Sequence, residues 1–141
     1  MSGYQIREST MKFKDARGRI DRGESASSLM QEFIRTRISS INFETSKHGR
    51  VRRAAEESFA KKSAEIDFCY YVFWKNGEKK EFEYDGVKYD MLDFEKFTEI
   101  SNIIYDDMTI SLHNMLKPEE IDSNDMEVYN TAKANNAKRG R

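Results

Sequence analysis

One proline, one cysteine and two histidines are all that 141 residues hold of the types that most often signal metal sites, disulfides or sharp turns. The single thiol, Cys69, excludes an internal disulfide and any zinc site built on a cysteine pair. His48 and His113 stand in separate segments, with no second histidine or glutamate at ligand spacing, so no metal is expected. Neither a Gly-x-x-x-x-Gly-Lys nor a Gly-x-Gly-x-x-Gly string occurs, which removes the usual nucleotide cradles. Asp106-Asp107 and Glu119-Glu120 lack the spaced acidic loop that calcium needs, and neighbouring side chains diverge, so both read as solvated charge. These gaps leave no catalytic residue and no cofactor to name, and the expectation is a protein that is not an enzyme. No run approaches the roughly 18 apolar residues of a membrane span, so no membrane partner is expected. The start, MSGYQIREST, lacks the basic-then-apolar order of a secretory signal, and the single cysteine fits a reducing cytosol or a particle assembled in one.

Charge is what the chain does have. Apolar residues are 38% and charged residues 35%, enough for one modest core at this length. The net charge of −1 hides a segregation. Residues 1–64 carry fourteen Lys/Arg against eight Asp/Glu, residues 65–129 carry six against seventeen, and residues 130–141 carry four against none. A basic arm, an acidic body and a basic tail outline an interaction protein. The interacting side chains expected are Arg17, Arg19, Arg22, Arg50, Arg52, Arg53, Arg139 and Arg141, because guanidinium forks suit carboxylate and phosphate. Asp15, Asp21 and Glu24 interrupt the arm, which favours a protein partner over DNA.

The fold class expected is α+β, mainly helical, with one central antiparallel β-hairpin and extended basic termini. Residues 1–24, with three glycines and little periodicity, read as a flexible basic arm. Residues 25–129 read as a single domain. Ser28 with Gln31 suggests a capping box opening a helix over 28–42, and a second helix over 50–65 has only a thin apolar face. The run DFCYYVFWKNGEKKEFEYDG then reads as strand, turn and strand. Asn76-Gly77 is a strong hairpin signal because a type I′ turn needs positive φ at both positions. The hairpin is placed over 67–89, with Asp85-Gly86 as a second turn. Its second face, Phe68, Tyr70, Val72 and Trp74, needs a cover, which the two N-terminal helices can supply. Asp90 is the expected cap of helical structure over 90–116, with Met91, Phe94, Phe97, Ile100 and Ile104 as its buried stripe. A last helix covers 124–133, and 130–141 form the basic tail.

Two strings, MSGYQIRE at the start and QEFI at Gln31 to Ile34, resemble the internal prohead core (scaffold) proteins of T-even-like tailed phages. Proteins of that family fill the prohead and are trimmed after glutamate in an Ile/Leu-x-Glu context. Ile6-Arg7-Glu8 matches that context, so the resemblance implies cleavage after Glu8. It also implies a capsid-assembly role, capsid or other core proteins as partners beside self-association, and a place in the host cytoplasm, inside the prohead or virion. The alternative is a small nucleic-acid-binding regulator whose arginine arm tracks phosphates.

Overall fold

The computed structural model describes residues 6–40 and 49–140, with side chains over 13–40 and 55–140. The described residues form a mainly helical α+β fold with one two-stranded antiparallel hairpin. Its elements are α1 (Ile6–Asp21), α2 (Ala26–Ser39), α3 (Gly49–Phe68), β1 (Phe82–Tyr84), β2 (Val87–Tyr89), α4 (Phe94–Asn114) and α5 (Ser123–Lys138). A single 3-10 turn, Pro118–Glu120, links α4 to α5.

The greasy run that reads as a strand is instead the end of α3. The helix continues through a π-turn over Cys69–Phe73 and a 3-10 turn over Trp74–Asn76. Gly77 does take positive φ, at 77°, but as the left-handed residue that stops this helix. Its amide donates to Trp74 O at 3.0 Å and the Glu78 amide donates to Phe73 O at 2.9 Å, the two bonds of a Schellman motif. Asn76 Nδ2 adds a bond to Val72 O at 3.1 Å. One conformational demand, positive φ at an Asn-Gly, thus serves a helix stop as well as a hairpin. The hairpin forms one turn later. Asp85 (φ 52°) and Gly86 (φ 78°) make the two-residue loop, and Phe82 pairs with Tyr89 and Tyr84 with Val87.

The segment is apolar all round because it is covered all round. Phe68 and Val72 pack on one side with Phe13, Ala16 and Leu29 of α1 and α2. Ile66, Cys69, Tyr70 and Trp74 pack on the other with Phe82, Phe97, Ile100 and Ile104. Of the two helices expected to cover this face, only α2 does so for Phe68 and Val72, the other cover being α1. The expected 50–65 helix is α3 itself, and Tyr70 and Trp74 face the hairpin and α4. The π-turn inserts one residue and re-phases the helix by about 100°, which lets Cys69 and Trp74 share a side. Ring stacking sets the geometry: Tyr70 lies 4.4 Å from Phe97 and Tyr71 lies 5.3 Å from Phe13, both nearly parallel.

Three further expectations are corrected. The flexible arm over 1–24 is largely α1, whose Phe13 and Ala16 are buried with Ile20 packed beside them. That three-residue stripe at helical spacing is masked in the sequence by the charges around it. The thin face of α3 belongs to a central helix: Ala60 and Ala64 are buried, and their small side chains permit close helix packing. The basic tail over 130–141 is mostly the second half of α5, which runs to Lys138. The helix starts also move. Ser25 caps α2 by accepting from the Ser28 amide, Asp93 caps α4 and Asp122 caps α5.

Candidate interaction surface

Arg17 reaches back across the end of α3. It donates to Val72 O at 3.2 Å and to Asp21 at 3.0 Å, pairs with Glu78, and sits over the Phe73 ring. Arg19 holds Glu24 in a two-pronged pair, both contacts at 2.9 Å, and reaches Glu32 on α2 at 3.4 Å. That hydrogen bonding from Arg19 holds the Glu24 carboxyl below its ordinary range, with Arg22 adding attraction, and raises Arg19 in turn. Arg22 is exposed. Arg139 donates to Asp106 at 2.7 Å. Apart from the exposed Arg22, the expected interacting arginines are thus of two kinds. Arg17, Arg19 and Arg139 bind this chain's own carboxylates and do not form free arms. Arg50, Arg52 and Arg53 belong to the first turns of α3, but their side chains, like Arg141, lie outside the described residues. Glu8 falls in the first turn of α1, on helical backbone.

Asp106 and Asp107 do not converge on an ion. Asp106 is buried and accepts from Arg139 and from Asn135 Nδ2 at 3.4 Å. Asp107 accepts from Asn136 at 3.0 Å and from the Tyr84 hydroxyl. Together they form a polar clasp that holds the end of α5 against α4. Glu120 closes the 3-10 turn by accepting from the Lys117 amide at 2.8 Å, and Glu119 is exposed. His113 is buried, bonded through Nδ1 to Thr109 O at 2.7 Å and stacked on Tyr129. The carbonyl can only accept, so the proton sits on Nδ1. His48 lies outside the described residues. Burial pushes the Cys69 thiol up to about 12, so it is a protonated core side chain at neutral pH. The groove between α3, the hairpin and α4 is lined by Lys62, Tyr84 and Asp107, each engaged within the chain. Among the described residues no group of His, Cys, Asp and Glu is placed to hold a metal ion, and no helix is long and apolar enough to cross a membrane.

Exposed apolar side chains occur elsewhere in the fold. Val87 (49% exposed), Met91, Phe94 (56% exposed), Met115, Met126 and Val128 are the large ones among the described residues. All six fall in the acidic block. Met91 and Phe94, expected in the buried stripe of α4, precede or open that helix and are exposed, the Phe94 ring resting by one side on Tyr70 and Phe97, while Phe97, Ile100 and Ile104 are buried. Exposed carboxylates surround them in sequence: Asp85, Asp90, Asp93 and Glu95 at one end, Glu119, Glu120, Asp122 and Glu127 at the other.

Sequence reasoning missed two charged pairs inside the fold: Asp106, expected as solvated charge, is buried with Arg139, and a second pair joins α2 to α3. Arg37 on α2 donates to Asp67 at 2.8 Å and to Ser63 at 3.1 Å, with the Asp67 side chain only 4% exposed. A lone carboxylate within the apolar run EIDFCYYVFW is the signal that could have found it, since a buried charge needs a partner. Comparison of the chain with family models, with curated proteins and with solved structures returns no match.

Proposed function

We propose that this chain is a non-enzymatic assembly protein that works through contacts with other protein chains. The observation that carries the reading is the six exposed large apolar side chains, all within the block of sequence richest in carboxylates. Exposed apolar groups rimmed by charge suit a protein partner. The same carboxylates repel phosphate, and Arg17, Arg19 and Arg139, which the nucleic-acid reading needs, are neutralised within the chain. The finer proposal is an internal scaffold or core component acting in prohead assembly, which rests on the resemblance at MSGYQIRE and QEFI. Partners are then capsid or other core proteins and further copies of this chain. Trimming after Glu8 requires the first turn of α1 to open, because a protease needs accessible, locally unfolded chain.

Sedimentation of the purified chain over a range of salt tests the general reading. Association that weakens as salt rises supports it, since charged contacts are screened over about 8 Å at physiological ionic strength. A strict monomer at every salt concentration that binds duplex DNA tightly at low salt overturns it. Copurification with an assembled shell, with the amino terminus of the mature copy at Ser9, is the outcome expected of a core protein.

A further inference from the structure

The face of α5 turned away from α4 is exposed along its length. Ala132 is buried against the body, and the residues on the opposite side of the helix are Ser123, Met126, Glu127, Asn130, Ala134 and Ala137. At 100° per residue, Asn130 and Ala134 each stand about 160° from Ala132, almost directly opposite. Ser123, Ala134 and Ala137 make half of this face small, and a shallow groove runs along it beside Thr131. Small side chains let a second helix approach closely. Charge runs along α5 as well: Asp125 and Glu127 lie in its first half, Lys133 and Lys138 in its second, with no Lys or Arg in the first half and no Asp or Glu in the second. Such a helix opposes a parallel copy and attracts an antiparallel one.

From this we infer that α5 is an isologous docking surface whose occupant is α5 of a second copy, running antiparallel about a twofold axis at the level of Ala132. In that register Asn130 faces Ala134 of the other copy, Met126 lies on Ala137, and Glu127 shares a flank with Lys138. Each contact occurs twice by symmetry. The inference rests on the reading that the chain acts through contacts with other chains, and it names one of them. A contact one helix wide falls below about 1,200 Å² in total, the size of small, reversible interfaces. The dimer should therefore be weak and should loosen as salt rises.

A charge exchange tests it on the full chain by sedimentation equilibrium. Glu127→Lys or Lys138→Glu alone places like charges together at two symmetric positions, and each should weaken the dimer by about tenfold, from exposed pairs of up to about 1 kcal/mol each. The double variant E127K/K138E should restore it. A second measurement uses oxidation: chains carrying Asn130→Cys mixed with chains carrying Ala134→Cys should form a disulfide-linked pair more readily than either variant alone. Association that ignores both the exchange and the cysteine pairing overturns the α5 interface while leaving the assembly reading in place. A monomer at all concentrations and salts overturns the α5 interface, and one that also binds duplex DNA tightly at low salt overturns the assembly reading as well.

Discussion

Two side chains show how burial at a single residue sets behaviour. Asp67 sits 2.8 Å from Arg37 inside the contact of α2 with α3. Removing one partner of a buried pair strands the other, so Asp67→Ala should cost on the order of 3 kcal/mol in chemical denaturation. A loss below about 1 kcal/mol would place the pair among exposed ones. Cys69 is neutral in the fold because burial opposes the thiolate, and its folded pKa lies above its ordinary value. Its contribution to stability is complete below the ordinary thiol range and is lost as pH rises toward about 12. Stability measured between pH 9 and pH 12 should fall more steeply for the native chain than for Cys69→Ala, although the variant starts lower through its cavity. At neutral pH, labelling by a thiol reagent should proceed only at the rate at which the core opens.

At the scale of elements, the helix stop at Gly77 and the seat of α5 carry the sharpest expectations. Gly77→Val forces a β-branched residue to a φ of 77°, which should destabilise by about 1–2 kcal/mol. Urea titration gives that number, and no change would remove the Schellman motif from the account. Helix α5 buries little besides Ala132 and depends on the clasp of Asp106 with Arg139 and of Asp107 with Asn136. A helix held mainly by polar contacts should open before the aromatic core does. In Asp106→Ala, amide exchange along α5 should accelerate by about tenfold, while the amides of Ile66 to Trp74 keep their protection, because a charged hydrogen bond contributes roughly 1.5–3 kcal/mol. Equal acceleration in both regions would mean that α5 and the core unfold as one unit.

For the whole molecule, charge segregation acts twice. Within the chain it joins the N-terminal helices to the body and α5 to α4, through Arg17 with Glu78 and Arg139 with Asp106. In the proposed assembly, basic residues at the start of α3 would meet the acidic surface of another copy, a heterologous contact of the kind that propagates without closing. Reversing Arg50, Arg52 and Arg53 to Glu together should remove species larger than a dimer, and the α5 pair should survive. No single reversal among the three should abolish the larger species, since exposed pairs contribute at most about 1 kcal/mol each. Sedimentation velocity of the triple variant at low salt checks both statements.

Legibility in the sequence followed the range of the interaction responsible. Cap chemistry and helical stripes are local, and they marked α2, α4 and the start of α5 to within a few residues. The hairpin, expected over 67–89 about Asn76-Gly77, forms only over 82–89, about the Asp85-Gly86 turn. The apolar run from Phe68 to Trp74 could be recognised as interior for the same reason, since so many aromatics need cover. Whether it was strand or helix could not be read there. A segment buried on every side shows neither period, and Asn-Gly ends both structures. Contacts distant in sequence decided it, as Phe13 and Val72 met on one side and Trp74 and Phe97 on the other. The arginines divide in the same way. Their number and clustering are properties of composition, but whether each guanidinium faces its own chain or another depends on which carboxylate the fold brings within reach, and only packing brings Glu78 to Arg17 and Asp106 to Arg139.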